Sequence, residues 1–208
     1  MTNEAPRKPW YLVVALLACW IGFGGCGLAN AWEGVERYRG VQFEQPAADL
    51  TREDDRAAAT AAYNRWTAAV EAERPRGFPL AVAELVLGLA MFIFASAAWL
   101  GRSGARRALV QVTLAQAALV IATFVVTPRS RAGQLDYTLE LASRGAIEKG
   151  QPREQVEMST RGARMFGGPA SIAVLAIRTL VAVLVVVALT RPRALAYYEA
   201  MNERPNEG

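Results

Sequence analysis

Long apolar runs alternate with charged stretches along the chain, and the apolar runs come in a single size. Four stand out, at residues 10–31, 80–100, 108–127 and 170–190. Each is about 20 residues long, which as a helix rises roughly 30 Å, the thickness of a membrane's hydrocarbon core. Backbone polar groups in that medium need partners inside the segment, so each run predicts a helix. The expected fold class is therefore an all-α integral membrane protein: a four-transmembrane-helix bundle whose two helical extracytoplasmic loops form a small cap.

Punctuation divides the chain further. Pro79 opens the second run, Pro128 closes the third, and Pro169 and Pro192 bracket the fourth. The expected segments are a tail at 1–9, spans at 10–31, 79–100, 108–127 and 170–190, a short link at 101–107 and a tail at 191–208. Loops at 32–78 and 128–169 complete the chain. Trp10 and Trp32 flank the first span, Trp99 ends the second, and Tyr197 and Tyr198 follow the fourth. Aromatic rings concentrate at such membrane–water boundaries.

Charge sets the orientation. Arg7 and Lys8 precede the first span, Arg102, Arg106 and Arg107 fill the short link, and Arg191 and Arg193 follow the last span. Four spans put all three clusters on one side, so both termini are expected in the cytoplasm. Arg74, Arg76, Arg129 and Arg131 lie near span ends on the other side and blur the rule. Of the 23 Lys and Arg residues only Lys8 and Lys149 are lysine, an arginine bias typical of GC-rich genomes. The expected location is thus a multi-pass protein of a bacterial inner membrane.

Three readings of the first run stay open. It is a retained span, or a cleaved signal peptide with Ala29-Asn30-Ala31 as its A-x-A site, or a lipoprotein leader around Leu16-Leu17-Ala18-Cys19. Ala18, Gly22, Cys26 and Asn30 recur every four residues and make a small-residue face suited to close helix packing, within the chain or against another protein.

The loops are expected to be helical. Thr51 is read as a cap with Glu53 and Asp54 in the first turn, and Pro75 and Gly77 as the stop. Tyr63, Trp66 and Val70 form an apolar stripe. Leu135, Leu139 and Ala142 form another, and a short helix is expected from Arg153 to Met165. The first loop holds nine acids and seven bases, the second five acids and seven bases. The small opposite charges favour docking of one loop on the other, weakly.

Two ionisable residues fall inside the spans, Glu84 and Arg178. They lie about 6 Å and about 12 Å below the outer edge by helix rise, which puts an ion pair between them within reach. Thr113, Gln116, Thr123 and Thr127 make a polar stripe on the third span, read either as interhelical glue or as a polar path.

Composition then limits the chemistry. The chain has no histidine and two cysteines, which removes the commonest general base, the commonest metal ligand and any disulfide framework. Cys19 and Cys26 lie about 10.5 Å apart along one helix, too far for a disulfide. No catalytic, cofactor or metal site is expected. No basic run interleaved with aromatics points to nucleic acid. The expected partners are membrane lipid and a protein held through the first span or the cap, with oligomeric state open. The leading expectation is a non-enzymatic scaffold or accessory subunit of a membrane complex. The alternative is a small transporter or ligand-binding sensor with a polar site at Glu84, Gln116 and Arg178. An intramembrane enzyme using acids, arginines, Tyr63 or Tyr137 is the weaker alternative.

Overall fold

A computed structural model describes residues 7–40 and 52–202. The cap expected at Thr51 lies outside the described residues. Within them the chain is helical and contains no strand. We number the helices α1 (Trp10–Arg39, with a π-helical stretch at Ala18–Cys26), α2 (Glu53–Trp99), α3 (Ser103–Val126), α4 (Pro128–Glu148), α5 (Arg153–Thr190) and α6 (Pro192–Asn202). Four of them, α1, α2, α3 and α5, are long and apolar enough to cross a membrane.

Several helices run further than the sequence pattern predicts. Pro75 and Gly77 do not stop α2, which spans 47 residues without a break. The short helix expected from Arg153 to Met165 and the fourth apolar run are one helix of 38 residues, with Pro169 inside it. A proline in a helix removes one N–H and leaves a carbonyl unpaired. Pro75, Pro79 and Pro169 all lie on exposed faces, whereas Glu73, Gly77 and Ala81 line the buried face of α2. The lost bonds thus fall where the carbonyls are accessible, and the packed face keeps its ladder. The C-terminal tail also holds a helix, α6, whose Ala194, Tyr197 and Tyr198 are buried.

The chain forms two compact units. The apolar unit takes α1 up to Glu33, then Ala81–Ile121, then everything from Ala176. The polar unit takes Gly34–Leu80 and Ala122–Leu175. In the apolar unit a single core joins Leu12, Leu16, Cys19 and Phe23 of α1 with Met91 and Ala95 of α2, Leu109 of α3, Val185 and Leu189 of α5, and Tyr198 of α6. Outside that core, large apolar side chains such as Val86, Ile93, Leu180 and Leu184 are exposed.

α1 packs on a different stripe from the one its small residues suggest. Cys19, Phe23, Gly27 and Ala31 are buried, while Gly22, Cys26 and Asn30 are exposed and Ala18 is half-buried. The apolar bulk of Leu12, Leu16 and Phe23 sets the orientation, one residue away from the small-residue face. Gly24 still permits a close approach, because a Cβ there would stand 3.3 Å from both Cα and Cβ of Phe92. A Cβ at Gly22 would meet nothing within 4 Å.

This difference is testable. Gly24→Leu is expected to destabilise the protein in detergent by about 1–3 kcal/mol through overpacking. Gly22→Leu, on open surface, is expected to change stability by less than about 0.5 kcal/mol. Thermal unfolding of the two variants checks this, and equal losses contradict the packing described.

Candidate functional site

The polar unit is built on charges that join helices. α4 begins at Pro128, with Thr127 before it in a non-helical conformation. Proline suits the first helical position because its missing N–H is one of the unpaired ones there. Thr127 does not cap its own helix: its Oγ1–H donates to Thr123 O at 2.8 Å. Glu73 of α2 caps α4 instead. Its Oε1 accepts Arg129 N–H at 2.9 Å and its Oε2 accepts Ser130 N–H at 3.0 Å. A carboxylate here satisfies two orphan donors and faces the positive end of the helix dipole. Desolvation pushes the Glu73 carboxyl up, but the hydrogen bonds from Ser130 and Arg129 and the Arg129 charge outweigh it and hold the group below its ordinary value.

A second junction centres on Arg144 of α4. Its Nη1 lies 2.8 Å from Oδ1 of the buried Asp55 on α2, and its Nη2 lies 2.8 Å from Oε1 of Glu140 one turn earlier. The Glu140 hydrogen bond raises the guanidinium pKa against desolvation, and Asp55 adds to it. Arg164 of α5 stands further off, 3.5 Å from Asp136 and 3.6 Å from Glu140. Beside these pairs a polar groove of about 380 Å³ is lined by Glu140, Arg144, Arg153, Glu157, Arg161 and Arg164. Glu157 sits four residues from both Arg153 and Arg161, and the four arginines and two glutamates leave the lining net positive.

Tyr63, Trp66 and Tyr137 make the apolar centre of this unit. Trp66 stacks on Tyr137 with centroids 5.5 Å apart, and Tyr63 meets Tyr137 edge-on at 5.5 Å. Burial, then the nearby Tyr63, raises the Tyr137 hydroxyl above its usual pKa. It therefore stays protonated at neutral pH, which suits a packed ring better than a base.

In the apolar unit the basic residues close helix ends. Lys8 Nζ donates to Trp99 O, the last residue of α2, at 2.8 Å and lies 4.4 Å from the Trp99 ring centroid. Arg106 Nη1 donates to Leu189 O, next to the end of α5, at 2.9 Å. Cations are favourable at helix C-termini, where carbonyls lack partners. Gly101, at φ +85°, completes the end of α2, its N–H donating to Ala98 O at 3.0 Å.

The side chains singled out from the sequence fall as follows. Glu84 and Arg178 are both half-buried in the apolar unit. Thr113 and Gln116 are buried there, Thr127 is buried in the polar unit, and Thr123 is half-buried. Thr113 Oγ1–H donates to Leu109 O at 2.7 Å and also lies 3.7 Å from Met91 Sδ. Its main bond thus returns to its own helix, whereas that of Thr127 reaches back to α3. Gln116 Nε2 is 3.2 Å from where a Cβ on Gly27 would stand, and Gln116 Oε1 accepts no hydrogen bond among the described residues. No group of three or more Cys, Asp or Glu that could hold a metal occurs among the described residues. No protein-family model, curated protein or solved structure matches the chain.

The Glu73 cap and the Asp55–Arg144 pair were not read from the sequence. Thr127-Pro128 marks a helix start, and Glu140 and Arg144 have i,i+4 spacing, but the distant acids carry no local signal.

Two measurements check these roles. Glu73→Gln is expected to cost about 1–2 kcal/mol at neutral pH. A carboxyl with a lowered folded pKa stabilises fully above its unfolded value, near 4.5, and the gain disappears as pH falls through the folded value. The stability gap between wild type and Glu73→Gln should therefore close below about pH 4.5. Arg144→Met should cost about 1–3 kcal/mol because it leaves buried Asp55 with only the longer Arg52 contact at 3.7 Å, whereas Arg164→Met should cost about 0–1 kcal/mol. Denaturant unfolding compares them, and equal costs would count against the Asp55 contact.

Proposed function

We infer that the protein is an integral membrane protein without catalytic activity, an accessory subunit or scaffold of a membrane complex. It sits in a bacterial inner membrane as a four-span bundle, with both termini and the 101–107 link in the cytoplasm. The loops at 32–78 and 128–169 form the extracytoplasmic cap. The observation that carries this reading is the use of the buried acids. Asp55 and Glu73, the buried acids among the described residues, both join one helix to another.

Other features support it. α1 contributes Leu12, Leu16, Cys19 and Phe23 to the shared core, which favours a retained first span over a cleaved leader. The outward strip of Gly22, Cys26 and Asn30 is the face offered to a neighbouring helix in the bilayer. An ion pair between Glu84 and Arg178 belongs to the same proposal, because in hydrocarbon each charge needs compensation.

Extraction in mild detergent followed by native mass analysis tests the reading. Recovery in a defined complex is expected, and Gly22→Leu is expected to release the neighbour without lowering the unfolding midpoint. A lone monomer in every mild detergent contradicts it.

A small transporter or ligand-binding sensor is the second reading, favoured by the unpaired Oε1 of buried Gln116. Its site is Glu84, Gln116 and Arg178. Comparing Glu84→Gln and Arg178→Leu with the double variant separates the two. If each single change unfolds the protein and the double is tolerated, the pair is structural and the sensor reading fails.

A further inference from the structure

An apolar groove of about 340 Å³ opens on the surface of the apolar unit between α1 and α2. Leu17 and Trp20 of α1 form one wall, and Ala95, Ser96, Trp99 and Leu100, at the end of α2, form the other. Its polar atoms are already engaged. Trp20 Nε1–H donates to Ser96 Oγ at 3.2 Å, and Ser96 Oγ–H donates to Phe92 O at 2.8 Å. Trp20 also stacks on Phe92, with centroids 5.3 Å apart. What remains is an exposed apolar channel: Trp20 is 43% exposed, Trp99 42% and Leu100 69%.

One end of this channel carries positive charge. Lys8 lies over the Trp99 ring and gives one of its three N–H donors to Trp99 O. No carboxylate lies within 4 Å of it among the described residues. Arg7 precedes it in sequence and Arg102 follows Trp99 by three residues, both exposed. The lining on this side runs from Leu100 down to Ala95, five residues, or about 7.5 Å of helix rise. One leaflet's share of the hydrocarbon core is about 15 Å. The groove therefore takes about the upper half of an acyl chain, with a cation and spare donors at its Trp99 end, where a phosphate would lie.

We propose that this groove is a binding site for an anionic phospholipid, with an acyl chain along Leu17, Trp20 and Ala95 and the headgroup phosphate at Lys8. The proposal rests on the membrane reading above and adds a chemical preference to it. A lipid that merely coats the protein has no reason to prefer one headgroup. A lipid held at Lys8 gains a charge-assisted hydrogen bond and the attraction of neighbouring arginines. The aromatic walls favour a chain of any lipid, and the cation selects among headgroups.

Native mass analysis of the full-length protein tests this, after exchange into nonionic detergent with equal phosphatidylglycerol and phosphatidylcholine. Preferential retention of phosphatidylglycerol, by about fivefold or more, is expected. Lys8→Gln should remove most of that preference, and Lys8→Arg should keep it. Trp20→Ala should lower retention of both lipids. Because Lys8 also closes the end of α2, unfolding midpoints are measured alongside. Should Lys8→Gln prove unfolded, the share of tryptophan quenching by brominated forms of the two lipids that is lost on Trp20→Phe replaces it. Equal retention of the two lipids, a preference unchanged in a folded Lys8→Gln, or equal quenching overturns the proposal. A separate flotation assay with phosphatidylcholine liposomes reads the membrane assignment itself. Failure to float there sinks that assignment, whereas flotation without headgroup preference sinks only the lipid site.

Discussion

Helix ends set the terms for this structure. A helix leaves up to four N–H and four C=O groups unpaired at its termini, and near an apolar medium these cannot rely on water. The protein answers with charged side chains drawn from distant parts of the chain. Glu73 of α2 closes the start of α4, Lys8 closes the end of α2, and Arg106 closes the end of α5. Each contact joins segments distant in sequence while satisfying backbone groups. The basic residues that suggest orientation by their number thus also have a local structural task.

The interior of the apolar unit follows from shape rather than polarity. Leu12, Leu16 and Phe23 set the face α1 presents, and Gly24 allows its backbone to approach Phe92. The π-helical stretch Ala18–Cys26 lies in the same glycine-rich region. Few hydroxyls join helices there: Thr113 bonds chiefly to its own backbone, while Ser96 accepts from Trp20 and Tyr198 donates to Ala98 O. Cohesion in this unit thus comes mainly from close apolar contact, and in the polar unit from charge and stacked rings.

The apolar periodicity made the four long helices legible, because a 20-residue apolar run has few alternatives. The aromatic stripe of Tyr63, Trp66 and Val70 was legible for the same reason, and all three are buried. The helix stops were not. Pro75, Pro79 and Pro169 look like breaks in sequence, yet each sits on an exposed face where a missing bond is tolerated. Which face a proline occupies depends on packing, and packing is not local. The same limit hid Glu73 and Asp55, whose partners lie 56 to 89 residues away. On α1 the larger residues, one position along from the small-residue stripe, take the packing within the chain.

The central proposal is that the apolar helices cross a bilayer four times, leaving both polar loops on the side opposite the 101–107 link. The most direct measurement is cysteine accessibility in intact cells, with Cys19 and Cys26 replaced by serine. Single cysteines are then introduced as Ser159→Cys in the second loop and Gly104→Cys in the link. A membrane-impermeant maleimide is predicted to label Ser159→Cys in intact spheroplasts and Gly104→Cys only after permeabilisation. Labelling of both without permeabilisation, or the reverse pattern, would contradict the account.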